Sequence, residues 1–234
     1  MDLLIFVRNG KSPIVNKPKA VFKWSILSII FWVPFELLNF YAKNWIYSKY
    51  TLIVHLVDFT IIFTAVWMTH LLFSSFDFFQ KIRIKPIKIK PCKTVLIFSI
   101  ILGIFFFVGP IISPYYLFFG MWLFPIFLFE PINYLNGKKS IINHLRDGKI
   151  EEILSVMLSG FVCGILWEFW NFWAYPKWFY NIPLLHNLGP LTPITSFKIF
   201  EMYLPGYLGY LPFGLSLYCM YYFSEFVFEK IKSI

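Results

Sequence analysis

The sequence predicts an all-α integral membrane protein, a polytopic helix bundle with about six transmembrane helices. Three observations predict this class. Of the 234 residues, 59% are hydrophobic and only 14% are charged, and the mean hydropathy of +0.67 is far above that of a water-soluble domain. The apolar residues fall into six long stretches, and the basic residues fall mostly into every second connection between them. We therefore expect residues 1–234 to form a single transmembrane domain.

The six stretches are long enough, or nearly so, to cross a hydrocarbon core of about 30 Å, which takes roughly 20 residues of helix. Residues 1–23 are expected to lie in the cytoplasm or at the membrane interface, and no cleavable signal peptide is evident because the first span lacks a small-residue cleavage site. Gly109-Pro110 is expected to end the third span. The predicted spans are Trp24–Ala42, Leu52–Phe76, Thr94–Gly109, Pro114–Ile132, Ile153–Tyr175 and Ile199–Phe223.

The charge distribution predicts the orientation. Seventeen of the 21 basic residues lie before the first span, in the loop 77–93, between the fourth and fifth spans, or after the sixth. With six spans, all of these lie on one side, and the positive-inside rule makes it the cytoplasmic side of the cell (inner) membrane, with both termini cytoplasmic. The net charge of +9 is thus a topology signal, and no nucleic-acid partner is expected. The isolated Cys92, Cys163 and Cys219 indicate neither disulfides nor zinc.

A glutamate followed by Asn and an aromatic residue occurs three times, as Glu36–Phe40, Glu130–Tyr134 and Glu168–Phe172. A carboxylate in a membrane-spanning helix costs roughly 2.5–3.5 kcal/mol on insertion scales, so it is a functional candidate by default. The first and third copies also share a following Ala, Trp and Tyr at nearly the same spacing. This predicts a parallel internal repeat of the first two and last two helices. The predicted span that carries Glu130 crosses the membrane in the opposite direction, so this copy is expected to have a structural role.

The predicted catalytic residues share one depth in the outer half of the membrane. No Lys or Arg lies within a span near them, so burial favours a partly protonated cluster and a carboxylic acid that can donate its proton. A divalent metal held by these acids and His55 is an open alternative, although their spacing matches no recognised ligand signature, and no cofactor is predicted. The predicted catalytic residues are Glu36, Glu168, Asp58 and Glu201.

Aromatic residues crowd around these acids. An acid surrounded by aromatic faces can protonate an alkene and hold the resulting carbocation by cation–π attraction. The predicted binding residues are Asn39, Asn171, His55, Trp167, Trp170 and Tyr41. By contrast, an interfacial aromatic belt is the favoured interpretation for Trp45, Trp178, Tyr47 and Tyr180. Gly160 and Gly164 form a small-xxx-small pattern that predicts close helix packing, and a homo-oligomer through this face is a further expectation.

Two short motifs carry a family resemblance. Pro34-Phe-Glu36 and Phe40-Tyr41-Ala-Lys-Asn-Trp45 resemble the Pro-x-Glu and Phe-Tyr-x-x-x-Trp motifs of small membrane-embedded lycopene cyclases. Trp167-Glu168 is similar to the Trp-Glu pairs of integral-membrane terpene cyclases and carotenoid hydratases. The family pattern has a second acid where Leu37 stands here, and both motifs share one span. The resemblance implies acid-catalysed chemistry on a long isoprenoid without a redox cofactor, with Glu36 and Glu168 as proton donor and partner.

Three functional hypotheses follow from these patterns. The first is a membrane enzyme that protonates an isoprenoid for cyclisation or hydration, as in carotenoid biosynthesis, with a membrane lipid or isoprenoid as its partner. The second is a small transporter or proton-coupled carrier, whose acids would titrate during alternating access. The third is a non-catalytic membrane assembly or partner protein that docks through the basic stretch Lys81–Lys93.

Overall fold

The computed structural model describes residues 1–49, 51–88 and 90–233, and these residues are mostly helical. The first half of the chain contains two short helices, a long helix, a short strand and three further helices. These are α1 (Asp2–Asn9), α2 (Pro13–Asn16), α3 (Pro18–Ala42), β1 (Trp45–Tyr47), α4 (Leu52–Ser74), α5 (Asp77–Gln80) and α6 (Lys93–Ile112).

The second half contains three longer helices, joined by short helices, a single strand and one small hairpin. In order these are α7 (Pro114–Leu117), α8 (Gly120–Leu135), α9 (Ile141–Asp147), α10 (Glu151–Trp173), β2 (Trp178–Tyr180), α11 (Thr192–Thr195), β3 (Lys198–Ile199), β4 (Met202–Tyr203) and α12 (Tyr210–Lys232). Short 3₁₀ turns cover Pro183–His186, Gly189–Leu191 and Leu204–Gly209.

Within the described residues, four helices are long and apolar enough to cross a membrane, namely α3, α4, α6 and α10. Such segments form helices because a bilayer offers no hydrogen-bond partners to the backbone, and a helix satisfies its own N–H and C=O groups. The chain is therefore a membrane-embedded protein, and the predicted all-α class is confirmed.

The long helices form a closed ring in which neighbours are not always consecutive in sequence. Around the ring, α3 packs against α4, α4 against α10, α10 against α12, α12 against α8, α8 against α6, and α6 against α3. Helices α3, α6 and α10 begin at the end of the bundle where α4, α8 and α12 finish. We call this the basic end, because the basic connections lie there, and the opposite end the aromatic end.

The basic end is held together by contacts between its loops. Arg83 forms an ion pair with Glu151 at 3.0 Å, and Lys139 pairs with Glu152. The backbone N–H of Ile84 donates to the carbonyl of Gly148 at 3.0 Å. The predicted basic loop 77–93, of which Ile89 lies outside the described residues, is thus partly packed against the loop before α10.

The predicted sixth span differs most from the structure. It was expected to run through Ile199–Phe223, but its first eleven residues form the β3–β4 hairpin and a 3₁₀ turn, and α12 begins only at Tyr210. Pro205, Gly206 and Gly209 lie in this stretch and disfavour an α-helix. A hydropathy pattern cannot distinguish this hairpin and turn from a helix, because the stretch is apolar in either conformation.

The third and fourth spans also differ from the prediction. Helix α6 continues through Pro110 to Ile112 instead of ending at Gly109-Pro110, since a proline removes one hydrogen bond without stopping a helix that its neighbours support. The predicted Pro114–Ile132 span is divided into α7 and α8 at Phe118-Phe119. The helix at the second span ends at Ser74, two residues before Phe76.

The Gly160 and Gly164 face of α10 packs inside the chain. A Cβ atom at Gly160 would lie 2.4 Å from the backbone oxygen of Tyr210, and one at Gly164 would lie 2.2 Å from the Tyr210 ring. The close packing predicted for these glycines is therefore made with α12. A homo-oligomer through the same face stays a prediction, and it would require this internal contact to be exchanged between copies.

Candidate functional site

Glu36, on the second turn from the C-terminal end of α3, accepts hydrogen bonds from three aromatic side chains. Its Oε1 atom receives the indole N–H of Trp32 at 2.7 Å and the hydroxyl of Tyr47 at 2.6 Å. The indole N–H of Trp45 reaches the same oxygen at 3.3 Å and the Tyr47 hydroxyl at 3.2 Å. Trp32 lies one helical turn before Glu36, where its side chain shares the same helix face.

Glu168, near the C-terminal end of α10, has an environment of the same kind. Its Oε1 atom accepts the hydroxyls of Tyr180 at 2.7 Å and Tyr210 at 2.6 Å. The indole N–H of Trp178 donates to the Tyr180 hydroxyl at 3.0 Å. Glu168 is fully buried, and its Oε2 atom has no hydrogen-bond partner within the described part of the chain.

Each glutamate is followed by an asparagine that fixes the next strand. The side chain of Asn39 donates to the carbonyl of Trp45 at 2.9 Å and accepts its N–H at 3.1 Å. Asn171 makes the same pair of bonds to Trp178, both at 2.9 Å. Each amide satisfies a backbone donor and acceptor just past a helix end, which is where the chain lacks helical partners.

Strands β1 and β2, which follow the two asparagines, pair with each other. The antiparallel register joins Trp45 to Tyr180, Ile46 to Phe179 and Tyr47 to Trp178. Each Trp is thus opposite the Tyr of the other strand, and the pairing is symmetric about Ile46 and Phe179. The two glutamate clusters are connected through this ribbon.

The two clusters differ at the position one turn before the glutamate. In α3 this position is Trp32, which donates to Glu36. In α10 it is Gly164, and the ring of Tyr210 from α12 occupies the space that a side chain there would take. A hydroxyl from another helix thus replaces the indole donor.

An aromatic cavity of about 590 Å³ lies between the clusters at the aromatic end. This volume is within the range of small-molecule sites, roughly 300–1,000 Å³. The rings that donate to the glutamates form part of its wall, while Glu36 and Glu168 lie behind them and do not line it. The rings of the two hydrogen-bonded clusters that line the cavity are Trp32, Trp45, Tyr47, Trp178, Tyr180 and Tyr210.

The hydroxyl of Tyr180 is positioned as a donor. Burial, and after it the nearby Glu168 carboxylate, raise the pKa of Tyr180 well above its usual value. Its phenol is therefore protonated at neutral pH and donates to Glu168, which fixes the orientation of the ring in the cavity wall.

The other predicted acids and the histidine lie at the same end of the bundle. Asp58 and His55 both line the cavity, and His55 is 3.9 Å from Asp58, with its ring centroid 4.2 Å from that of Tyr47. Glu201 lies in the β3–β4 hairpin and pairs with Lys177 at 2.6 Å, because α12 starts later than predicted. The structure thus brings Asp58 and His55 to the cavity, and Glu201 to an ion pair beside it.

The predicted aromatic binding residues fall into two groups. Trp167, Trp170 and Asn171 line the cavity, with Trp170 at its edge and 58% exposed. Tyr41 is 52% exposed, packs edge-on against Phe40, and does not line the cavity. Asn39 is buried; it forms hydrogen bonds with the backbone of Trp45 and does not line the cavity.

The interpretation of Trp45, Tyr47, Trp178 and Tyr180 as an interfacial belt is wrong. Trp45 is only 5% exposed, and all four side chains belong to the hydrogen-bonded clusters and the cavity wall. One sequence feature could have indicated their role in the site. The Trp and the Tyr recur at matching distances after both Glu-x-x-Asn motifs, and an interfacial belt does not require such a recurrence.

Among the tryptophans and tyrosines of the wall, three were not predicted, namely Trp32, Trp122 and Tyr210. The helical i, i+4 spacing from Glu36 could have indicated Trp32. No sequence pattern pointed to Tyr210, because its contact with Glu168 spans 42 residues and depends on the packing of α12 against Gly164.

The third glutamate of the motif lies at the opposite end of the bundle. Glu130 accepts the backbone N–H of Ile142 at 2.9 Å, and Asn133 donates to the carbonyl of Cys219 at 2.9 Å. Both side chains thus connect α8 to neighbouring elements. Across the part of the chain that the structure describes, no group of three or more His, Cys, Asp or Glu residues is arranged to hold a metal ion.

Comparison of the chain with protein-family models, with characterised proteins and with solved structures finds no match. The functional conclusion below therefore depends on the site alone.

Proposed function

We propose that the chain is a six-span enzyme of the cell membrane that performs acid-catalysed chemistry, cyclisation or hydration, on a lipid-soluble isoprenoid. The observation that carries this proposal is the aromatic cavity whose wall rings donate hydrogen bonds to two glutamates, the buried Glu168 and the half-buried Glu36. In this proposal α8 and α12 also cross the membrane, and the basic end faces the cytoplasm together with both termini.

The proposal includes a parallel repeat of α3–α4 and α10–α12. Three matched features support it: a tyrosine hydroxyl on each glutamate, an asparagine clamp on each following tryptophan backbone, and the symmetric β1–β2 register. In a parallel repeat the two halves are related by an axis along the membrane normal. Such an axis would pass near the Ile46 and Phe179 pair.

Because the glutamates lie behind the wall, the proton reaches the ligand through a tyrosine hydroxyl. In this step the hydrogen bond between Tyr180 and Glu168 is reversed from the one in the structure, with the Tyr180 O–H turned towards the ligand and its oxygen accepting from a protonated Glu168. Glu168 then gives its proton to the Tyr180 oxygen while the Tyr180 O–H proton passes to an alkene carbon of the ligand. This step leaves a carboxylate, an unchanged tyrosine and a carbocation. The tryptophan faces of the wall then stabilise the cation, by roughly 2 kcal/mol or more for a desolvated pair. Glu36 and Tyr47 are arranged for the same step.

The test measures deuterium transfer from solvent. The purified protein is incubated in D₂O with a panel of linear isoprenoid polyenes and polyprenols, and the products are analysed by mass spectrometry. We expect deuterium in the product of the native protein and none with Glu36→Gln or Glu168→Gln. Glu130→Gln is the matched control, since it changes the same motif at the other end and should keep activity. Full activity in both Glu36→Gln and Glu168→Gln would refute the proposal.

One observation favours a transporter as the second candidate. A polar cavity of about 670 Å³ lies at the basic end and is lined by His70, His144, Lys139 and Glu152 among others. An alternating-access carrier opens a site near the bilayer midplane to one side and then to the other, and cavities at both ends of one bundle are compatible with two such openings. Uptake of a solute into liposomes driven by a pH gradient, with no deuterium incorporation, would support this candidate instead.

A further inference from the structure

The wall of the aromatic cavity is incomplete on one side. Its exposed members from the helices belong to α4 and α10, where Val54 is 45%, Ile61 54% and Trp170 58% exposed. Asp58 of α4 and Ala174, the residue that follows α10, are also exposed and line the cavity. We call these five residues the lateral mouth.

The opposite wall is closed. Phe213 of α12 is 1% exposed and Trp45 of β1 is 5% exposed, and the β1–β2 ribbon joins the two halves across the aromatic end. Trp32 of α3 packs edge-on against Phe213, with ring centroids 6.2 Å apart. Among the described residues, no cavity-lining side chain of α3 or α12 is exposed, so this side offers no comparable opening.

Helices α4 and α10 are held together away from the mouth. Thr69 contacts Cys163 at 3.4 Å, and His70 contacts Ser155 at 2.8 Å. Among the described residues, the hydrogen bonds between these two helices lie only in this half, toward the basic end. Towards the aromatic end the cavity lies between them, so the helix pair is joined at one end and open at the other.

The depth of the mouth indicates what it faces. Ile61 is nine residues after the start of α4, which at 1.5 Å per residue puts it about 14 Å along a helix of about 35 Å. Both α4 and α10 are long and apolar enough to cross a membrane. A mouth that reaches this far from the helix end extends into the hydrocarbon core. Its edge furthest from the aromatic end is the apolar Ile61.

We propose that the cavity exchanges its ligand with the bilayer through the lateral mouth, and that the group which enters is a flexible hydrocarbon chain, acyl or isoprenoid. Lys49, which precedes α4 and also lines the cavity, marks the water end of the mouth, and Asp58 lies within the mouth between Val54 and Ile61. This inference rests on the proposed function only in taking the ligand to be lipid-soluble, and its test requires no turnover.

The experiment uses the tryptophans of the wall as reporters, since six of the nine tryptophans in the chain line the cavity. In a Cys92→Ser background, Ile61→Cys is labelled with a benzyl maleimide and reconstituted in vesicles of brominated phosphatidylcholine, whose acyl chains quench indole fluorescence. Cys163 and Cys219 are buried and should not react. The matched control is Val57→Cys, which is 62% exposed on the same helix but does not line the cavity.

We expect the label at position 61 to remove most of the quenching of the wall tryptophans by brominated chains, and the label at position 57 to leave it unchanged. Quenching by acrylamide, a water-soluble quencher, should be the same for both labelled proteins. Each protein before labelling serves as its own folding control. Equal quenching by brominated chains in both labelled proteins would overturn the lateral mouth. So would a label at position 61 that lowers only acrylamide quenching, since the cavity would then open to water.

These outcomes are independent of the deuterium test. A lateral mouth with fully active Glu36→Gln and Glu168→Gln variants would leave a lipid-binding cavity without acid catalysis. Loss of deuterium incorporation in those variants, without any effect of the label at position 61, would keep the catalysis and refute the route.

Discussion

Replacing Gly164 with alanine tests how the Glu168 cluster is assembled. A Cβ atom there would lie 2.2–2.5 Å from three atoms of the Tyr210 ring, which is far inside van der Waals contact. The ring must move, and the 2.6 Å hydrogen bond from its hydroxyl to Glu168 is then lost. The substitution therefore perturbs the cluster without touching any of its polar atoms.

The expected magnitude combines three contributions. Overpacking costs about 2 kcal/mol, losing a hydrogen bond to a buried acceptor costs about 2 kcal/mol, and the better helix propensity of alanine returns about 1 kcal/mol. We expect a net loss of about 3 kcal/mol in the free energy of unfolding, measured in detergent micelles with a chemical denaturant and tryptophan fluorescence.

Gly209→Ala is the matched control, because no atom lies within 4 Å of a Cβ at that position. It should change stability by less than about 1 kcal/mol. A double-mutant cycle adds a second criterion, since Tyr210→Phe should cost little more once Gly164→Ala is present. A Gly164→Ala protein as stable as the native one, or strictly additive substitutions, would refute the assignment of Gly164 as the space for the Tyr210 ring.

Two further outcomes are expected at the aromatic end. Asn171→Ala leaves the part-buried backbone N–H and C=O of Trp178 without their 2.9 Å partners and should cost about 2 kcal/mol. Asn171→Asp, which keeps only the acceptor, should recover part of this in the same unfolding assay. Lys177→Met leaves the mostly buried Glu201 carboxylate unpaired and should cost about 1–3 kcal/mol, and adding Glu201→Gln should restore part of that loss. A single Lys177→Met variant no less stable than the double variant would contradict the pairing.

Much of the architecture could be predicted because it follows from local chemistry. Hydropathy identifies α3, α4, α6 and α10, since long apolar stretches have few alternatives to a helix in a bilayer. The grouping of acids near Glu36 and Glu168 followed from counting residues along helices of known rise. The start of α12 could not be obtained in this way, because the apolar stretch before it forms a hairpin and a turn.

The sequence by itself determined that the chain lies in a membrane, that its basic residues gather at one end, and that Glu36 and Glu168 lie near the other. These properties depend on composition and on spacing within single helices. Only the tertiary structure decided that both carboxylates lie behind the cavity wall, that Tyr210 fills the space above Gly164, and that β1 pairs with β2. Each of these depends on contacts between elements far apart in the chain, where helix packing decides which side chain occupies a given space.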